Sequence, residues 1–296
     1  MSVNLFRVFS AGLKDNWKNP VLFVPNFLSS VLSLVLFLLL FTAATMFFLK
    51  DTLDFSNGFE FIMPQNPTET SFIIYGITFL IYGIIAGLIS LYVKAGLIGM
   101  SHEAAEIEKT RFSTFFSRGN KYFFRFVSAS VLMSLIFLLP ISISTLILFL
   151  IYSLSLLISS SVVFVLLSFA AFVLLFFFLV FFLVFSVYLH FVFYSIVIDN
   201  FSAVAAIRKS IALFNENKRI VLFFLAVVFF ISILFGILSL IFSLLSTLPT
   251  IGVIFFVLRL LLKLFKYTFW GTMDTVLGTR MYSALTADVV EAKINE

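Results

Sequence analysis

Three basic residues near the C-terminus, Arg259, Lys263 and Lys266, have the most distinctive spacing in this chain of 296 residues. They fall at i, i+4 and i+7, so on a helix they share one face. The residues around them are mostly apolar, and an unpaired charge inside a membrane costs roughly 2.5 to more than 10 kcal/mol. The spacing therefore predicts a basic pocket that binds an anionic lipid headgroup or another anion.

A second interpretation of the same residues stays open, and it is the more common arrangement. In this interpretation the last apolar stretch is broken, and residues 246–258 enter the membrane as a re-entrant segment. Residues 259–266 would then lie at the membrane surface, with the three charges on a solvated face.

Other residues that could do chemistry are few. His102, Glu103 and Glu106 spell His-Glu-x-x-Glu, which is similar to a zinc-binding helix without its second histidine. A solvated helix in which Glu106 pairs with Lys109 is the commoner meaning, so we predict no metal and no cofactor. His190 lies among aromatic residues, which favours a structural histidine over a proton relay.

Catalytic residues are not predicted either. The chain contains no cysteine, which excludes disulfides, thiolate metal sites and cysteine nucleophiles. It also contains no glycine-rich phosphate loop, no paired intramembrane carboxylates and no combination of a nucleophile with a base. These absences count against an ion-coupled pump and against an intramembrane hydrolase.

The composition explains where any site must lie. Hydrophobic residues make up 62% of the chain, charged residues make up 11%, and the mean hydropathy is +1.20. Soluble domains contain about 45–50% apolar and about 25% charged residues, so the chain is predicted to be an integral membrane protein. Its net charge of +5 fits attraction to anionic lipids, and we predict no nucleic-acid partner.

Six apolar stretches are long enough to cross a bilayer, which needs about 20 residues. The predicted fold is therefore all-α, with six transmembrane helices arranged as three hairpins in a single membrane domain, residues 1–296. The first stretch is too long for a signal-peptide core and is predicted to be a retained span. The six predicted spans are Val21–Leu49, Phe72–Val93, Tyr122–Tyr152, Val162–Ile198, Ile220–Leu245 and Ile251–Met281.

The distribution of basic residues predicts the orientation. Of the 19 Lys and Arg residues, all except Lys50 fall on one side of these spans, with Lys94 snorkelling to that side from the end of its helix. The positive-inside rule assigns that side to the cytoplasm. The prediction is a multi-pass protein of the cell membrane with both termini in the cytoplasm.

An interfacial amphipathic helix is predicted over Phe201–Phe214 on the cytoplasmic side. Its apolar arc contains Phe201, Val204, Ile207, Ile211 and Phe214, and its basic residues are Arg208 and Lys209. Similar segments precede Asn16, Asn120 and Asn217, which suggests three copies of a unit made of a surface helix and a hairpin. The alternative is that Asn and Lys simply mark helix ends at any membrane surface.

Gly83 and Gly87 form a Gly-x-x-x-Gly pair on the second predicted span. Such pairs allow two helices to approach closely. Packing within the chain is the first interpretation of this pair, and a homo-oligomer formed through Gly83 and Gly87 is the second.

Two segments carry a family resemblance. Residues 95–100 read Ala-Gly-Leu-Ile-Gly-Met and lead into Phe112–Phe116, while residues 196–200 read Ile-Val-Ile-Asp-Asn and precede Ala205–Ser210. This pattern resembles a family of six-span archaeal and bacterial proteins related to the membrane domain of glycerophosphodiester phosphodiesterases. The resemblance implies six spans and a membrane role. It implies no catalytic residue, because the hydrolase activity of that family belongs to a separate soluble domain.

Three functional hypotheses follow. The first is a non-enzymatic membrane protein that binds or organises lipids, most of them anionic, or supports a membrane partner through its basic cytoplasmic face. The second is a transporter or channel for a small anion or amphiphile, with a pathway lined by Arg259, Lys263 and Lys266. The third is an enzyme acting on lipids with Glu103 or Asp274 as its base.

Overall fold

The computed structural model describes residues 3–52, 69–157, 161–248 and 252–294, and helices account for 93% of it, without a strand in these ranges. The predicted all-α fold is confirmed. In the described residues the α-helices are α1 Leu5–Lys18, α2 Phe23–Thr52, α3 Glu69–Ile107, α4 Phe112–Leu157, α5 Ser161–Tyr188, α6 Val192–Ile198, α7 Ala203–Glu216, α8 Lys218–Leu245, α9 Gly252–Phe265 and α10 Gly271–Ile294. A short 3-10 helix, Pro20–Leu22, precedes α2, and a π-helical segment, Lys266–Trp270, joins α9 to α10.

Within the described ranges, five helical stretches are long and apolar enough to cross a membrane. They are Pro20–Thr45, Ile73–Ile107, Phe112–Ser153, Leu167–Ile198 and Lys218–Leu245, and they correspond to the first five predicted spans. The last predicted span, Ile251–Met281, corresponds to α9, the π-helical segment and the start of α10, which are not among the five. A sixth span therefore stays a prediction.

Two helices extend further than the sequence predicted. Helix α3 continues past Val93 to Ile107, and α4 begins at Phe112 and passes through Asn120 without a break. The second copy of the suggested repeat therefore has no separate surface helix. At 1.5 Å per residue, helices of 39 and 46 residues are longer than the roughly 30 Å thickness of a hydrocarbon core.

The predicted fourth span, Val162–Ile198, is not one helix. Helix α5 ends at Tyr188, the chain turns, and α6 begins at Val192. Ser210 of α7 explains why this break is stable: its hydroxyl donates a hydrogen bond to the Tyr188 carbonyl at 2.6 Å and accepts one from the Phe191 amide at 3.2 Å. Two backbone groups that a broken helix leaves without intrahelical partners are thereby paired.

The chain divides into two compact units, each built from several separated segments. The first unit comprises Met1–Lys14, Lys121–Leu234 and Val276–Glu296, and the second comprises Asp15–Asn120 and Phe235–Thr275. The first contains α5, α6 and α7, and the second contains α2, α3 and α9. The prediction of a single domain is not decided by this division.

The core of the first unit is aromatic. Ring contacts within it join Phe126 to Phe193 at 4.6 Å between centroids and Tyr188 to Phe214 at 4.4 Å. The largest fully buried side chains of this unit are Tyr122, Phe126, Phe191, Tyr194, Ile196, Leu213, Phe224 and Tyr282.

The core of the second unit lies at the C-terminal part of α3. Residues 95–101 are all buried there, and Gly96 lets Phe115 of α4 approach so closely that a Cβ at position 96 would overlap the ring. By contrast, the most apolar 18-residue window of α3 contains no buried residue. A bilayer explains this difference, because lipid tails solvate apolar side chains as well as a protein core does.

Candidate functional site

The three basic residues in and just after α9 differ in their exposure. Arg259 and Lys266 are half-buried, as are Phe255 and Leu262 on the same side, while Lys263 at the edge of this face is exposed. The other faces carry large apolar side chains that are open to the surroundings: Val253, Ile254, Val257, Leu261 and Phe265. Helix α9 thus exposes large apolar side chains, whereas Arg259 lies on its more covered face.

One nitrogen of the Arg259 guanidinium is enclosed by the protein. Its Nε is buried and makes no hydrogen bond to any residue that the structure describes. Among the residues that the structure describes, none of the three basic residues forms an ion pair with an acidic side chain. An arginine in this position can bind a carboxylate or a phosphate through two parallel hydrogen bonds, because its planar group presents several N–H donors.

The π-helical segment after α9 is held in place by aromatic contacts within the second unit. Phe269 stacks on Phe265 at 5.0 Å and on Phe23 of α2 at 5.4 Å between ring centroids. Phe235 of α8 lies 6.4 Å from Trp270. The wider turn of a π-helix shifts the residues that follow it, and such segments are frequent at functional sites.

The re-entrant interpretation of this region stays a prediction. Helix α9 runs without interruption from Gly252 to Phe265, so residues 252–258 and Arg259 belong to one helix. The described turn precedes it, at residues 246–248, where Ser246 and Thr247 bond to carbonyls three residues back. Residues 249–251 lie outside the described residues.

A second polar cluster in the same unit surrounds the start of α10. The Lys94 and Asp274 side chains, from α3 and α10, interact electrostatically, and both are half-buried. Thr272 accepts a 2.9 Å hydrogen bond from Asn26 of α2, and Asn16 of α1 donates one to the Met273 sulfur at 2.9 Å. Lys94 therefore does not simply snorkel to the surface, as its position at the end of a span predicted.

Sequence reasoning missed this pairing because the two residues are far apart in the chain. The sequence contained one indication of this pair: Lys94 and Asp274 are single charges of opposite sign at the ends of apolar stretches. Ionisable groups within membrane segments usually pair with one another. A search for such complementary charges would have suggested the pair, although it would not have distinguished Lys94 from other lysines.

The segment predicted as an interfacial helix is largely helical, as α7, but its buried face differs from the predicted arc. Ala203, Ala206, Ser210, Leu213 and Phe214 are buried. Of the predicted apolar arc, Phe214 packs on Tyr188, Phe201, Ile207 and Ile211 are half-buried, and Val204 is 50% exposed. Arg208 is exposed and Lys209 is half-buried.

Three arcs of α7 therefore have different surroundings. The first arc, which contains the small residues and Leu213, is covered by the protein. The second arc lies beside it and is apolar, with Val204, Ile207 and Ile211. The third arc contains Arg208. This arrangement suits a helix that lies between the protein and a membrane surface. Phe214 does not belong to the apolar arc, since it is part of the protein core.

The turn that leads into α7 is fixed by two side chains of the first unit. Arg125 Nη1 donates 2.9 Å hydrogen bonds to the carbonyl oxygen and to Oδ1 of Asn200, which has the left-handed φ of 58° that asparagine tolerates. The Tyr282 hydroxyl donates to Oδ2 of Asp199 at 2.5 Å. Burial and the Asp199 carboxylate raise the pKa of Tyr282 above its ordinary value.

The His-Glu-x-x-Glu pattern is occupied by local contacts. His102 Nε2 lies 3.3 Å from Oε1 of Glu106, and Glu103 accepts a 2.6 Å hydrogen bond from the Thr110 hydroxyl. Glu106 therefore pairs with His102, where the sequence suggested Lys109. Among the described residues, no group of three or more His, Cys, Asp or Glu side chains could hold a metal.

His190 lies in the aromatic core of the first unit. Its ring is 5.0 Å from that of Phe191 and 5.9 Å from that of Tyr194. This environment agrees with the structural role favoured by the sequence.

The described residues thus form an all-helical protein whose long apolar helices suit a membrane. Its second unit contains both the basic residues in and just after α9 and the charge pair of Lys94 and Asp274. This chain belongs to a family described as a domain of unknown function, DUF7847, whose model matches residues 3–287. Comparisons with curated proteins and with solved structures gave no match.

Proposed function

We propose that this chain is a non-enzymatic, multi-pass protein of the cell membrane that binds or organises anionic lipids through Arg259, Lys263 and Lys266. Both termini lie in the cytoplasm, and the basic face can also support a membrane partner. Kinship with the membrane domain of glycerophosphodiester phosphodiesterases is part of this proposal, and it rests on the two sequence segments that resemble that family.

One observation carries the proposal: Arg259 lies on the more covered side of α9. On a helix that merely lies on a membrane surface, the charges would point outward to water and the apolar residues inward. Helix α9 has the reverse arrangement, since Val253 is 77% exposed while Arg259 is half-buried. A lipid phosphate beside Arg259 would supply a negative partner for this half-buried guanidinium.

The residues suggested as catalytic bases support a non-enzymatic role. Glu103 accepts a hydrogen bond from Thr110, which ties the end of α3 to the residues before α4. Asp274 interacts with Lys94. Each carboxylate therefore has a structural partner, which favours a structural role over that of a general base.

Native mass spectrometry of the protein released from its own membrane tests the proposal. The wild type should retain a specific anionic lipid, and the variant with Arg259→Ala, Lys263→Ala and Lys266→Ala should lose it. The matched control is Lys109→Ala, Lys218→Ala and Arg219→Ala, which also removes one arginine and two lysines, all of them exposed. This control should retain the lipid.

Two results would count against lipid binding at α9. If both variants carry the same lipids as the wild type, the basic residues do not bind them. If both variants lose lipid equally, the net charge of the protein matters and the position of α9 does not.

The alternative function is transport of a small anion or amphiphile. The Lys94 and Asp274 pair favours it, because ionisable groups within membrane segments often mark an ion pathway. Flux measurements in liposomes distinguish the two functions. Anion permeation that is present in the wild type and absent in the Arg259, Lys263 and Lys266 variant would support transport and exclude a purely lipid-binding role.

A homo-oligomer through Gly83 and Gly87 is also proposed. Apart from neighbouring residues, no described atom lies within 4 Å of the position that a Cβ would take at either glycine. The pair therefore does not pack against another helix of the described chain, which supports the second interpretation of its spacing. An open pair of this kind is suited to contact with a second copy.

A further inference from the structure

Helix α1 exposes the side chains that a soluble helix would bury. Phe6 is 80% exposed, Trp17 is 81% exposed and Leu13 is 41% exposed. The opposite side of the helix is buried, although it carries Asp15 and Asn16. Large apolar residues on the outside and small or polar residues on the inside indicate that water is not the medium around the exposed face.

Contacts to α10 determine which face of α1 is covered. Gly12 lies so close to Leu277 that a Cβ at position 12 would overlap the leucine side chain. Further along, Asn16 bonds to the Met273 sulfur. These two contacts fix the rotation of α1 about its own axis, so its exposed face is defined by packing.

The exposed face has two adjacent arcs. With 3.6 residues per turn, Phe6, Leu13 and Trp17 fall within an arc of about 40°, and Arg7, Lys14 and Lys18 fall within a neighbouring arc of the same width. Asp15 is the only acidic residue of α1, and it is buried. Lys18 pairs with Glu108 at 2.5 Å, so Arg7 and Lys14 are the charges directed to an external partner.

The position of α1 in the chain identifies that partner. The first apolar stretch begins at Pro20, two residues after α1 ends at Lys18. Covalent continuity therefore holds α1 at the membrane surface on the side where the chain enters. Tryptophan and phenylalanine concentrate at the headgroup level of bilayers, and lysine and arginine bind anionic headgroups there.

We propose that α1 is an interfacial helix that inserts Phe6, Leu13 and Trp17 at the headgroup level of an anionic membrane surface, while Arg7 and Lys14 bind the headgroups. This proposal deepens the proposed function, since it rests on the chain being a membrane protein. It concerns a face of the protein separate from α9. Each basic residue of α1 that binds headgroups should strengthen the binding of α1 to the membrane surface about fivefold.

The fluorescence of Trp17 tests this proposal, because the chain has two tryptophans and the other, Trp270, is buried. The Trp270→Phe variant, which retains Trp17 as its sole tryptophan, is reconstituted in phosphatidylcholine vesicles with and without phosphatidylglycerol. Lipids brominated near the headgroup should quench Trp17 emission strongly, and lipids brominated near the chain end should quench it weakly. The shallow quenching should increase when phosphatidylglycerol is present.

The basic residues are tested in the same vesicles. Arg7→Gln with Lys14→Gln should abolish the increase caused by phosphatidylglycerol, a loss of up to about 25-fold in the surface equilibrium. Lys218→Gln with Arg219→Gln removes two exposed charges elsewhere and should preserve the increase. If Trp270→Phe does not fold, the difference between wild-type and Trp17→Phe spectra isolates the same signal.

Two outcomes would overturn the proposal. The first is that aqueous iodide quenches the fluorescence of Trp17 and brominated lipid does not, which would show that Trp17 lies in water. Quenching that is equal with and without phosphatidylglycerol would show insertion without recognition of anionic lipid. Neither outcome would affect lipid retention at α9, so failure of this proposal can be distinguished from failure of the proposed function.

Discussion

Helices α7 and α9 are both 14 residues long and both carry basic residues, yet they distribute their side chains in opposite ways. In α7, Leu213 is completely buried and Arg208 is exposed. In α9, Leu261 is 56% exposed and Arg259 is half-buried. The Leu213 side of α7 thus faces protein, whereas the Leu261 side of α9 faces away from it.

The difference shows that amphipathicity alone does not reveal what a helix touches. On its Leu213 side, helix α7 follows the rule for a helix packed on a protein core, in which the hydrophobic effect buries apolar side chains. The exposed leucine and half-buried Arg259 of α9 are the pattern expected of a helix in lipid, where apolar side chains gain little from packing against protein. The surrounding medium determines which face becomes the protein face.

The largest expected effect comes from the same substitution made in both helices. Leu213→Ala should destabilise the protein by about 2–5 kcal/mol, because it leaves a cavity in the core. Leu261→Ala removes an exposed side chain and should change the stability by no more than about 0.5 kcal/mol. Thermal unfolding in detergent, followed by near-ultraviolet circular dichroism, measures both. Equal losses would show that α9 is packed as tightly as α7 and would end the comparison.

A smaller effect is expected from the polar contact that α7 makes with the break between α5 and α6. Ser210→Ala leaves the Tyr188 carbonyl and the Phe191 amide without their partner, at about 1–3 kcal/mol for the buried amide and little more for the part-buried carbonyl. Ser202→Ala on the same helix is the control, because Ser202 is exposed and makes no side-chain capping bond. The same unfolding measurement should show a loss for Ser210→Ala alone. An unchanged midpoint would mean that the break is stable without α7.

The sequence predicted the long apolar helices well for a physical reason. Stretches of about 20 apolar residues cannot remain unfolded in a bilayer, so α2, α3 and α8 follow from hydropathy alone. The bounds of α3 and α4 were less accurate, since both helices continue into polar residues that hydropathy does not recognise. Helix α7 was placed within two residues at each end, because its amphipathic period is clear.

The core and the candidate site were harder to predict, because both depend on residues that are distant in the chain. Hydropathy is greatest in the windows of the spans, where few or no residues are buried, while the buried core lies in more polar segments beside the loops. The spacing of Arg259, Lys263 and Lys266 showed a shared face. It could not show whether that face is covered, since the covering residues lie in other segments.

The smallest expected effect concerns the turn that leads into α7, and it appears only at alkaline pH. Burial and the Asp199 carboxylate raise the pKa of Tyr282 in the folded protein, whereas in the unfolded chain the phenol loses its proton near pH 10. Above about pH 10 the unfolded state releases a proton that the folded state keeps. The stability contributed by Tyr282 is therefore complete below that pH and falls by about 1.4 kcal/mol for each further pH unit.

The Tyr282→Phe variant should lack this part of the alkaline decline, because phenylalanine has no proton to lose. Tyr267→Phe is the control, since Tyr267 is 64% exposed and lies in the π-helical segment next to α9. Denaturant midpoints between neutral pH and about pH 11 would compare the two variants with the wild type. If Tyr282→Phe declines as steeply as Tyr267→Phe, the turn before α7 is not held by a protonated Tyr282. The contrast with α9 would then rest on the buried side of α7 alone.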